Sequence, residues 1–154
     1  MKKLLLVSLL SLFIFIRSEA QETPSGKSKS SFKELNTGFA LIGYDNEIYP
    51  GASFLWGRTY INENNFIFEH EVGFAFPSII TGKLGIGKKI NNTEITMGVR
   101  PLPFNLYLQS SLKKKEKGYW IVSIEFDPFY SDSFSLFGSR AILNFGYRWH
   151  ITKK

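Results

Sequence analysis

From about Leu35 to Ile151 the chain alternates apolar and polar residues with a period of two. Phe66, Phe68, Val72, Phe74 and Phe76 interleave with Glu69, Glu71, Gly73 and Ala75. Ile80, Leu84 and Ile86 interleave with Thr81, Lys83, Gly85 and Gly87, and Ile95, Met97 and Val99 with Glu94, Thr96, Gly98 and Arg100. The pattern returns in Trp120, Val122, Ile124 and Phe126 against Ser123, Glu125 and Asp127. It closes the chain in Leu143, Phe145, Tyr147, Trp149 and Ile151 against Asn144, Gly146, Arg148 and His150. Successive side chains of a strand leave on opposite faces, so each run has one apolar and one polar face. A helix needs apolar residues about every three to four positions, and no stretch after residue 20 has that period.

Turn-forming residues separate the runs: Asp45-Asn46, Asn62 to Asn65, Pro77-Ser78, Asn91-Asn92, Pro101-Leu102-Pro103 and Lys113 to Gly118. Apolar parity switches from odd to even at Pro101–Pro103, as Phe104, Leu106 and Leu108 show, which fits two strands joined by a tight turn. Strands are expected at 36–44, 48–61, 65–76, 79–90, 93–100, 103–112, 118–127 and 139–151. Segment 128–138 is a longer connection that could add strand character. Links this short demand antiparallel neighbours. The expected fold is all-β, an antiparallel up-and-down meander of eight strands.

The front of the chain reads as an address. Lys2 and Lys3 precede an apolar run from Leu4 to Ile16, and Ser18-Glu19-Ala20 offers small residues to a signal peptidase. Those 13 residues would span only about 20 Å as a helix, short of a ~30 Å hydrocarbon core. Residues 1–20 are therefore expected to be a cleaved signal peptide, 21–34 a flexible leader rich in Ser and Lys, 35–151 the folded domain and 152–154 a tail. The signal holds three of the 19 basic and one of the 13 acidic residues, so the remainder carries 16 against 12, a net +4. That modest excess, with one dense basic run at Lys113–Lys117, argues against a nucleic-acid partner. With no cysteine, disulfide scaffolds, thiolate metal sites and lipid attachment after cleavage are excluded.

Alternation alone does not say where the apolar face points. In a soluble barrel or sandwich it points inward; in an outer-membrane barrel it meets lipid and the polar face lines the interior. Three features favour the second. Gly73, Ala75, Gly85, Gly87, Gly98 and Gly146 sit on the polar face, where small residues make room for long ones inside a narrow barrel. The same face mixes signs, and Glu69, Glu71, Lys83, Arg100, Glu125, Asp127 and Arg148 are expected to neutralise one another there, with Glu69 and Glu71 near Lys83. Trp56, Tyr60, Tyr119, Trp120, Tyr147 and Trp149 lie near strand ends, as an aromatic girdle at a membrane boundary requires.

The last strand, Asn144-Phe-Gly146-Tyr-Arg-Trp149-His-Ile151, resembles the signal that outer-membrane assembly machinery reads on the final strand of its substrates. Asn144, Gly146, Trp149 and Ile151 carry that likeness. Over about residues 35–151 as a pattern, and over 144–151 as a motif, the chain resembles the small eight-stranded barrels of the outer-membrane protein A-like type. The resemblance implies a bacterial outer-membrane location, contact with outer-membrane lipid and with the assembly machinery, and a structural or surface-recognition role. Its lumen would be filled by paired charges and not form an open pore. The alternatives are a secreted or periplasmic soluble β-barrel or sandwich binding an apolar ligand or partner, and a lipid-modifying barrel enzyme.

Catalytic chemistry is sparse. His70 lies between Glu69 and Glu71, but on a strand both glutamates face away from it. Ser53 or Ser123 with His70 would be the serine–histidine candidates, and strand parity brings neither pair together. Gly82 to Lys88 looks like a phosphate loop but lacks a following helix. No catalytic residue, cofactor or metal is expected.

Overall fold

The computed structural model describes residues 28–42, 47–114, 118–130 and 139–151. Every regular element there is a strand: β1 (Ser28–Ile42), β2 (Glu47–Ile61), β3 (Phe66–Phe76), β4 (Ile79–Ile90), β5 (Thr93–Pro101), β6 (Phe104–Lys114), β7 (Gly118–Phe126) and β8 (Ala141–Ile151). Each pairs antiparallel with its sequence neighbour, and β8 pairs with β1 to close a barrel in meander order. The turns fall where Asn and Pro mark them. The Asn62 side chain accepts the backbone N–H of Asn64 (3.0 Å) and of Phe66 (2.8 Å), so one residue both ends β2 and starts β3.

The register fixes the barrel's shape. Following paired residues around the circle from Lys29 leads through Tyr60, Phe68, Ile86, Met97, Leu108, Ile124 and Leu143 to Phe39, ten residues further along β1. A stagger of that size over eight strands implies a tilt of about 40° to the barrel axis. At that tilt the nine-residue strands β5 and β7 rise about 23 Å, close to the ~25 Å apolar band of a membrane barrel. One rim carries Ser28, Ile151 and the turns at Asn62–Asn65 and Asn91–Asn92; this is the terminal rim. The opposite rim carries the turns at Pro77-Ser78 and Leu102-Pro103 and the longer β7–β8 connection.

The largest departure from expectation is at the start. β1 begins at Ser28, inside the stretch 21–34 read as a flexible leader. Composition there is turn-like, but Phe32 and Glu34 point inward and are fully buried. Closure gives β1 a ladder on each edge, with β2 and with β8, and those hydrogen bonds hold a polar segment that propensity alone would not. The signal segment 1–20, leader residues 21–27, the tail 152–154, the turn residues Asp45-Asn46 and residues 131–138 lie outside the described residues.

Candidate functional site

The two surfaces of the sheet are chemically opposite. Inward positions hold Glu34, Glu69, Glu71, Glu94, Glu125, Lys83, Arg100 and Arg148, all buried. Among the described residues, outward strand positions hold 25 exposed large apolar residues, against six apolar residues buried inside.

The lumen is organised around Arg148. Its guanidinium reaches three carboxylates: Glu34 (Nε to Oε2, 2.7 Å), Glu69 (Nη1 to Oε2, 2.5 Å; Nη2 to Oε1, 2.9 Å) and Glu71 (Nη2 to Oε1, 2.8 Å). The face of the guanidinium lies 3.7 Å from the Phe32 ring centroid. Planarity and forked donors let one Arg serve several acids at once, which a Lys point charge does not. Thr59 donates to Glu69 Oε2 at 2.8 Å, the oxygen that Arg148 Nη1 also reaches, and Asn36 donates at 2.7 Å to Glu34 Oε1, the oxygen Arg148 leaves open.

A second cluster lies nearer the opposite rim. Glu125 Oε1 takes Arg100 Nη2 at 2.8 Å, Asn144 Nδ2 at 2.9 Å and Lys83 Nζ at 3.4 Å. Lys83 also donates to Gln109 at 3.1 Å. The small inward residues do make room. A Cβ on Gly85 would collide with the Tyr107 hydroxyl, and one on Gly57 with the Phe32 ring. A mouth of about 50 Å³ opens at the opposite rim, lined by Ser53, Arg100 and Asn144 among others, with room for a few water molecules.

Of the expected charge network, Glu69, Glu71, Lys83, Arg100, Glu125 and Arg148 are inside, and two details are corrected. Asp127 is not in the lumen: β7 ends at Phe126, and the Asp127 carboxylate accepts the Phe129 N–H at 2.8 Å in the rim turn. Parity extends only as far as the strand does. Lys83 stands beside Glu71 in register, as expected, but Glu69 and Glu71 make their hydrogen-bonded ion pairs with Arg148. The Lys83 side chain crosses instead to Gln109 and Glu125. Glu34, Asn36 and Gln109 complete the network. Glu34 escaped because its segment looked unstructured, although its register partner across the closing seam is Arg148.

Of the aromatic girdle, Trp56, Tyr60, Trp120, Tyr147 and Trp149 are outward, whereas Tyr119 is buried on the inward face at 5% exposure. Tyr119 shares parity with Ile121, Ser123 and Glu125, and that parity overrides its position near a strand end. The outward rings touch in a chain: Trp120–Tyr147 (5.2 Å between centroids), Tyr147–Trp149 (6.0 Å), Trp149–Phe54 (6.3 Å), Phe54–Trp56 (4.6 Å) and Trp56–Phe74 (5.9 Å). In the last strand Trp149 and Ile151 face outward, Asn144 faces inward and Gly146 lies against Asn36 and the Leu35 carbonyl, where a Cβ would collide. His70 faces outward beside Tyr60 and Phe68, while Ser53 and Ser123 are buried inside, so the sheet separates the serine–histidine candidates. Comparisons with protein-family models, with curated proteins and with solved structures returned no match.

Proposed function

We propose that the chain is an exported, non-enzymatic protein that sits in a bacterial outer membrane as an eight-stranded barrel of the outer-membrane protein A-like type. The observation that carries this reading is the inversion of the two faces. Phe39, Phe74, Ile86, Met97, Leu108 and Ile124 are each more than half exposed, while Arg148, Lys83, Glu34 and Glu125 are at most 1% exposed. Soluble monomers rarely expose a contiguous apolar surface beyond a few hundred Å², whereas a lipid solvent requires it. Closure satisfies the backbone without a free edge, which a bilayer also demands. A soluble carrier of an apolar ligand would need an apolar lumen, and here charged and amide side chains fill it.

The plugged lumen supports a structural or surface-recognition role and not conduction. The barrel acts as an anchor, and by sequence the β7–β8 connection, which joins the strands on the rim opposite Ser28 and Ile151, is the longest link between strands. The outer-membrane lipid and the assembly machinery are the partners this reading implies, the latter through Asn144, Gly146, Trp149 and Ile151. Cell fractionation followed by gel electrophoresis tests it. The protein should stay in the membrane pellet after a high-salt wash, and the unheated sample should migrate faster than the boiled one. Release into the soluble fraction as a folded monomer would overturn the proposal.

A further inference from the structure

Charge on the outer face is sorted by sign and by position. Lys29 and Lys33 of β1, Arg58 of β2, Lys88 of β4 and Lys114 of β6 all leave the barrel outward, and all lie on the half toward the terminal rim. Among the described outward strand residues of that half there is no carboxylate. Glu34, Glu69, Glu71 and Glu94 of the same half are buried in the lumen, and Glu63 belongs to the β2–β3 turn. Outward residues near the opposite rim are apolar: Phe39, Ile48, Phe76, Ile80, Phe104 and Phe126.

The cations are backed by aromatic rings. Lys29 Nζ lies 5.2 Å from the Tyr60 centroid, Lys88 5.8 Å from Phe66 and Lys114 5.2 Å from Trp120. Lys33 stands in register between Trp56 and Trp149. Long basic side chains lay their stems on apolar surface and carry the charge to the water boundary. Like charges arrayed around one collar repel one another, and among the described outward strand residues of that half no acid offsets them. A layer of fixed negative charge at the same depth does.

We propose that this one-sided collar binds the phosphate headgroups of anionic phospholipids, and so holds the terminal rim in the leaflet that contains them. The proposal rests on the membrane reading above. The lysines and Arg58 donate to phosphodiester oxygens while Tyr60, Trp56, Trp120 and Trp149 occupy the interfacial layer beside them.

The tryptophans report on the site directly, because Trp56, Trp120 and Trp149 all face outward on this half. The full chain is refolded into vesicles of dioleoylphosphatidylcholine, with or without one quarter dioleoylphosphatidylglycerol. Insertion is scored by heat-modifiable mobility, and lipid preference by tryptophan quenching with brominated forms of each lipid. The expected result is insertion into both vesicles, with a preference for the anionic lipid of about fivefold or more. That preference should collapse toward one in 1 M salt, where the screening length falls to about 3 Å. The variant K29Q/K33Q/R58Q/K88Q/K114Q should lose it, while K89Q/K113Q, which removes two cations at inward-parity positions near the same rim, should keep it. Should the first variant fail to refold, the salt titration of the unaltered protein decides. Insertion into both vesicles with no lipid preference at low salt overturns the collar and leaves the barrel reading intact. Failure to insert into either overturns the membrane reading and the collar with it.

Discussion

Arg148 is the side chain on which the interior depends most. It is 1% exposed and holds three carboxylates, so its removal leaves Glu34, Glu69 and Glu71 facing one another without the cation they share. Breaking a buried charge cluster from one side costs about 3–5 kcal/mol. Arg148→Leu should lower the free energy of unfolding by roughly that amount in urea titrations of the vesicle-folded protein. Arg148→Lys should lose less, since one charge remains but the fork does not. Lys83→Glu is a second test of the lumen. It would set a new carboxylate beside Glu125, the group Lys83 now faces at 3.4 Å, and the same titration should show a loss of several kcal/mol, about as large as for Arg148→Leu. A solvated position would tolerate the same change with less than about 1 kcal/mol.

Within the strands, the inward glycines are legible as a class but not as individuals. Gly85 on β4 and Tyr107 on β6 are not paired in register, because β5 lies between them. The Tyr107 side chain reaches across β5 at Gly98, its register partner, and ends at Gly85. Gly85→Ala should therefore strain the Tyr107 hydroxyl and cost about 1–3 kcal/mol. Tyr107→Phe in the same chain should recover part of that loss, and a double-mutant cycle of unfolding free energies measures the coupling. Strand parity in the sequence already placed Glu69, Glu71, Lys83 and Arg148 on one face, and the turn residues located seven of the eight strands to within a few positions. It failed where local composition competed with the ladder. Ser28 to Glu34 looked like a leader because nothing local reveals that β8, more than a hundred residues away, would pair with it.

For the barrel as a body, the decisive variable is what surrounds it. Ile124 is in the middle of β7 on the outer face, and Phe66 is at the terminal-rim end of β3 on the same face. If hydrocarbon surrounds the belt, Ile124→Arg should cost about 2–4 kcal/mol, while Phe66→Arg at the interface should cost about 0–1 kcal/mol. In water both changes would be near neutral, so the difference between the two unfolding free energies separates the environments.

The order of residues along the chain dictated the period of two, the sorting of charged and apolar side chains to opposite faces, and the places where the chain turns. These are properties of neighbours along a strand, and covalent geometry carries them. Which acid meets which base was set only when the sheet closed. The ten-residue stagger carries Arg148 to Glu34 across the β8–β1 seam and onward to Glu69 and Glu71, and it sends Lys83 away from its register partner. Coulomb attraction in a closed, poorly screened lumen acts across the axis as readily as along a strand, so pairs there follow the barrel's cross-section and not the spacing of residues in the chain.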